Sequence, residues 1–204
     1  MLYTNKDLKK LIIPLVFEQL LAILVGMVDT VMIAGVGEAA VSGVSLVDTI
    51  NILVINLTAS LATGGAVVAG HFLGQKYGKN AGRAAWQLVL FSIWMSAVVT
   101  IVFLAAHKPL LRVIFGQVEP AVMESATTYL IITAISICPL AIYNSCAALF
   151  RAMSDSKTTM LIAIAMNLIN VVGNAILIYG VKIGVAGAAI ATTLSRTAAA
   201  VIIM

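Results

Sequence analysis

The stretch "LIIPLVFEQLLAILVGMVDTVMIA", residues 11–34, decides the fold. A helix that crosses a bilayer needs about 20 mostly apolar residues, and this run supplies them. It also holds two acids, Glu18 and Asp29. A charged side chain near the bilayer centre costs roughly 2.5–3.5 kcal/mol on insertion scales, so such groups are functional by default. The basic "MLYTNKDLKK" before the run resembles the start of a signal peptide. The apolar core of a signal peptide spans only about 7–15 residues, however, and lacks buried acids. The run reads as an uncleaved first span.

Composition agrees. The chain has 204 residues, 62% of them hydrophobic and 10% charged, with a mean hydropathy of +1.11. A soluble domain carries about a quarter charged residues, so this chain belongs in a membrane. Six stretches qualify as spans: 11–34, 44–70, 84–106, 122–149, 159–180 and 185–204. The fold class is therefore all-α, with six transmembrane helices in one bundle.

The net charge of +4 is distributed as topology and not as a nucleic-acid surface. Lys6, Lys9, Lys10, Lys76, Lys79, Arg83, Arg151 and Lys157 fall on one side, against Lys108, Arg112 and Lys182 on the other. The positive-inside rule places the first set, and the N-terminus, in the cytoplasm. A multi-pass protein of the inner cell membrane is expected. The chain ends at Met204 within apolar sequence: either a short tail follows the span directly or this is a piece of a longer protein, and the second reading is favoured. Cys138 and Cys146 lie two helical turns apart, about 12 Å, too far for a disulfide.

Polar residues inside the spans are the candidates for function: Glu18, Asp29, Asp48, Asn51, Asn56, Asn144, Asn167, Asn170, Asn174, Thr192, Thr193 and Arg196. For a single Asn or Thr, an interhelical hydrogen bond worth about 0.6 kcal/mol is the plain alternative. Depth separates one group from the rest. Asp29, Asn174 and Thr192 lie about five, six and seven residues from the outer ends of spans one, five and six, all close to 10 Å down at ~1.5 Å per residue. Asn170 sits one turn below Asn174 on the same face. Spans five and six are joined by "VKIG" and must pack side by side. A carboxylate, two amides and a hydroxyl at one level form an oxygen cage suited to a hard cation such as Na⁺. A carboxylate taken out of water without a cation takes a proton instead.

At these residues the sequence resembles the multidrug and toxic compound extrusion (MATE) transporters. "IPLVFEQLLAILVGMVDTVMIAGVGEAAVSGVSL" (13–46) is similar to their first two spans, with Pro14, Asp29 and "AGVG" in place. "ALFRAMSDSKTTMLIAIAMNLINVVGNAILIYG" (148–180) and "GVAGAAIATTLSR" (184–196) resemble the region from the end of span four through span six. The resemblance implies the N-terminal six-helix half of a two-bundle antiporter, exporting organic, often cationic compounds in exchange for Na⁺ or H⁺. It maps the cation or proton site onto Asp29, Asn170, Asn174 and Thr192. Some relatives carry an acid at the Asn174 position; the amide here leaves Asp29 as the main titratable group. The implied partners are small organic substrates, the bilayer and a second six-helix half. No cofactor other than the coupling ion is implied.

Other features remain open at this level. Pro14 is either a hinge, because a proline inside a helix removes a hydrogen bond and bends it, or a harmless first-turn proline. Glu18 is either a second proton site or an ion-pair partner of Arg196. Gly70, Gly74, Gly78 and Gly82 recur every four residues, and the later ones are expected to shape a loop. The sequon "NLT" (56–58) lies within a span. His71 and His107 are isolated, and no Cys/His pair has metal spacing. No nucleotide-binding loop or Ser–His–Asp set supports an enzyme. The alternatives to efflux are a lipid-linked precursor flippase of the same superfamily, disfavoured because Arg196 is the lone cavity cation, and a non-transporting membrane scaffold.

Overall fold

The computed structural model describes residues 5–75 and 77–204, apart from the side chains of Lys6 and Asp7. The topological roles assigned to Lys76 and to the Lys6 side chain therefore fall outside the described residues. Seven α-helices follow in order: α1 (Asn5–Ala34), α2 (Glu38–Gly74), α3 (Gly78–Phe115), α4 (Pro120–Ile135), α5 (Ile137–Ala152), α6 (Ser156–Asn174) and α7 (Gly184–Ile203). A π-helical segment, Ala175–Gly180, extends α6. Five helical stretches are long and apolar enough to cross a membrane, and α4 with α5 form a sixth that is bent by 48°.

The bend is the main departure from the expected continuous span 122–149. Pro139 has no N–H to offer the Ile135 carbonyl, and its ring crowds that carbonyl, so the helix stops one turn earlier. Ser136 fills the break. Its N–H and its hydroxyl both donate to the Thr133 carbonyl, at 2.9 and 2.7 Å. Thr133 in turn donates from Oγ1 to the Tyr129 carbonyl at 2.7 Å, a back-bond of the kind that bends helices. Leu140 then donates to the Ser136 carbonyl and α5 begins.

Two segments expected to be loops are helical. α3 passes a kink at Ala106 (φ −113°, ψ 18°) and runs on through Pro109 to Phe115. Pro109 falls in the first turn after the kink, where its missing N–H costs no helical hydrogen bond, and Leu111 of that segment is fully buried in the core. Gly78 and Gly82 likewise fall in the opening turns of α3 and shape no loop. The α5–α6 turn is closed by Asp155, whose carboxylate accepts from the Thr158 N–H (3.2 Å) and hydroxyl (2.7 Å) as an N-cap. Those two donors hold the Asp155 carboxyl below the usual aspartate range.

In lipid, association of helices depends on close backbone approach at small residues. α7 is built for this: Gly187, Ala188, Ala189, Ala191, Ser195, Ala199 and Ala200 are all buried. α6 and α7 pack closely, with Gly173 against Ala191 and Gly187 against Leu177. One core joins Ile33, Val47, Leu111, Leu130, Ile178 and Ala189 near one end of the bundle. A second, of Leu140, Tyr143, Ala147, Ile162, Ala199 and Ile203, links α5, α6 and α7 at the other. α1 stands apart. It packs mainly on α6, and most of its length faces outward.

Gly43 sets the α2–α4 spacing. A Cβ there would lie 2.7 Å from Ser125 Cβ and 2.8 Å from the backbone of Ala126 and Val122. Gly43→Ala should lower stability by about 1–3 kcal/mol, the usual cost of overpacking, read as a reduced Tm in detergent; an unchanged Tm would show that α4 can move aside.

Candidate functional site

The last turns of α6 bring the sequence-selected residues of three helices to one point. Asn174 is 1% exposed and donates from Nδ2 to Asp29 Oδ1 at 2.7 Å. One turn earlier, the Asn170 amide lies 3.0 Å from both Asp29 carboxylate oxygens and 3.2 Å from Thr192 Oγ1. Asp29 comes from α1, the two amides from α6 and Thr192 from α7.

The Asn170 amide turns its NH₂ toward Asp29, donating to both carboxylate oxygens, and accepts from the Thr192 hydroxyl. This arrangement suits a bare, ionised Asp29. Asn174 Oδ1 is buried without a partner among the described residues.

Asn174 is the final residue before the π-helical segment. Such wide turns occur mostly at functional sites, because they re-aim side chains at the junction. Here the wide turn also carries Tyr179, whose hydroxyl donates to the Met32 carbonyl of α1 at 3.3 Å.

The cluster forms part of the wall of a cavity of about 520 Å³. Asp48, Asn51, Tyr129, Asn167 and Arg196 also line it. Asp48 is the functional candidate that depth counting left without a role. It lies on α2, accepts from Asn51 Nδ2 at 3.4 Å and interacts with the Arg196 charge and the Tyr129 hydroxyl. Its signal in the sequence is the same as that of Asp29, an acid inside an apolar run.

The expected pairing of Glu18 with Arg196 is wrong. Arg196 donates from Nη1 to Ser136 Oγ at 2.8 Å, at the α4–α5 break. Glu18 instead meets Arg151, with Nη1 and Oε1 3.6 Å apart. The reason is azimuth: α1 lies along α6, whose first turn adjoins the end of α5, so Glu18 faces the α5–α6 hairpin. Pro14 lies well inside α1, beyond its first turn, so the harmless first-turn reading does not apply. Asn144 and Thr193 make interhelical bonds, to Thr58 Oγ1 at 3.0 Å and the Ile132 carbonyl at 3.2 Å. Among the described residues, no three His, Cys, Asp or Glu side chains cluster as a metal site.

A bundle of this shape, with its acid and amides at one level, invites comparison with known transporters. The family model MatE matches residues 14–176. The chain belongs to the MatE family. YisQ, an uncharacterized transporter of Bacillus subtilis (strain 168), is 28% identical over 90% of this chain and 41% of its own length. NorM of Thermotoga maritima, a probable multidrug resistance protein, is 29% identical over 94% of this chain and 42% of its own. A MOP superfamily transporter from Pyrococcus furiosus has the same fold, with a TM-score of 0.91 at 24% identity, over 97% of this chain and 43% of that one. The chain thus spans less than half the length of the relatives it matches.

Hydrogen bonds to charged groups contribute about 1.5–3 kcal/mol. Asn174→Ala should therefore destabilise the protein by about that amount in chemical denaturation. A loss below about 0.5 kcal/mol would mean that Asn170 alone satisfies the carboxylate.

Proposed function

We propose that this chain forms one six-helix half of a secondary active transporter, exporting organic, often cationic compounds in exchange for Na⁺ or H⁺. The observation that carries the reading is a carboxylate, Asp29, held by an amide at 2.7 Å on the wall of a cavity inside a membrane-length bundle. An intramembrane acid is costly unless it is used. The Asn170 amide supports a role for the ionised carboxylate, since it donates to both Asp29 oxygens while accepting from Thr192. Family membership and the multidrug-resistance relatives support efflux over a scaffold role.

In this reading Asp29, Asn170, Asn174 and Thr192 take the cation or proton, and the remaining cavity wall meets the substrate. The donors offered are carboxylate, amide and hydroxyl oxygens, which suit a hard ion such as Na⁺. The basic helix ends bearing Lys9, Lys10, Lys79, Arg83, Arg151 and Lys157 face the cytoplasm of an inner-membrane protein, as the positive-inside rule requires. A second six-helix half, on the same chain or another, closes the cavity. Pro14 supplies a bend in α1, which is free to move because so little of it is packed.

Two substitutions test this. Expressed with the completing half in efflux-deficient cells, Asp29→Asn should abolish gradient-driven ethidium export while leaving the protein in the membrane; export at the wild-type rate would sink the reading and favour a scaffold. Pro14→Ala should slow export several-fold without changing ion affinity, measured by calorimetry on purified protein. Unchanged export would remove Pro14 from the mechanism but leave the site intact.

A further inference from the structure

α1 carries a second acid, Glu18, eleven residues before Asp29, about 16 Å away along the helix. Its contact with Arg151 is long, 3.6 Å, and uses only Oε1. The other oxygen, Oε2, is buried with no hydrogen-bond partner among the described residues. Tyr143, on α5 and 5% exposed, sets its hydroxyl beside the Glu18 carboxyl without closing a well-formed hydrogen bond. Thr159 also acts on Glu18, but its hydroxyl already donates to the Ser156 carbonyl at 3.0 Å. A buried carboxyl oxygen and a buried phenol, adjacent and poorly satisfied, call for a proton between them.

We propose that Glu18, Tyr143 and Arg151 form a second proton-binding site, at the end of α1 opposite Asp29. The geometry suits a proton better than a metal ion, because the Arg151 charge lies against the carboxylate and repels any cation that must sit beside it. A proton on Oε2 turns a poorly satisfied acceptor into a donor. The Tyr143 hydroxyl can donate or accept, so the pair adapts to either state of Glu18 by rotating an O–H bond. The proton enters from the α5–α6 turn, where Arg151 sits in the last turn of α5. When the proton binds, Arg151 is released toward solvent and the tie between α1 and α5 loosens.

The other groups around Glu18 leave this assignment intact. Arg151 and Tyr143, both on α5, are the titratable groups acting on it among the described residues. α6 adds the neutral Ser156 and Thr159, while Lys157 on the same turn is exposed. Lys9 and Lys10 of α1 are exposed as well. α7 presents apolar Ala199 and Ile203 to the hairpin. The site is independent of the efflux reading, since proton binding can be measured without transport.

The test is pH-titrated infrared difference spectroscopy of the purified protein in lipid nanodiscs. Glu18→Gln should remove a protonated-carboxyl band that Asp29→Asn retains, and Asp29→Asn should remove a different one. Arg151→Gln, which takes away the charge favouring the ionised form, should let the Glu18 band appear at higher pH than in the wild type. Tyr143→Phe should move the frequency of that band, because the carboxyl loses a hydrogen-bond partner. A Glu18→Gln spectrum superimposable on the wild type across the titration would overturn the proposal. If Glu18→Gln does not fold, unaltered carboxyl spectra in both Arg151→Gln and Tyr143→Phe would overturn it equally.

Discussion

Nothing in the hydrocarbon of a bilayer can hydrogen-bond a stray polar group, and this constraint organises the molecule. The bundle places its buried polar side chains at contacts between helices, where another helix can answer them. Asp29 is answered by Asn174 at 2.7 Å, Arg196 by Ser136 at 2.8 Å, Ser145 by Ser92 at 2.7 Å. Each of these contacts requires two helices at a fixed distance and rotation. The small-residue face of α7 provides that precision, because Gly and Ala let backbones approach until side chains meet.

The same constraint explains where the helices are irregular. The α4–α5 break, the kink at Ala106 and the π-helical turn after Asn174 each free backbone groups that a continuous helix would have paired. In the first case hydroxyls of Thr133 and Ser136 bond back to the chain. The break in turn presents Ser136 to Arg196. An irregular backbone inside a membrane is tolerated where protein or a polar cavity surrounds it; Asn174, just before the π turn, and Arg196, bonded to Ser136 at the break, both line the cavity.

Much of this was legible in the sequence. Span positions follow from apolar length, which lipid enforces. The Asp29, Asn170, Asn174 and Thr192 cluster follows from counting, because helix rise is constant and the α6–α7 connection is short. What counting cannot supply is rotation about a helix axis. Glu18 could be read as a proton site or as a partner of Arg196, whereas tertiary packing turns it to Arg151. Asp48 lies in the 37-residue α2, too long for its depth to be counted from either end. The break at Ser136 had a readable sign in Pro139, whose effect falls four residues upstream of itself. The α3 extension was legible only in part: Pro109 is suited to open a helical turn, whereas the burial of Leu111 comes from tertiary packing.

The amide at Asn174 has an electrical consequence. Among the four residues that meet at the end of α6, Asp29 carries the single formal charge. Empty and ionised, the cluster is a monovalent anion; with one proton or one monovalent cation it is neutral. A membrane potential exerts about 2.3 kcal/mol on each elementary charge moved across 100 mV. Voltage therefore acts on this cluster while Asp29 is ionised and hardly at all once its charge is neutralised. An acid at position 174 would shift that balance, leaving the singly loaded cluster charged and still under the pull of the field.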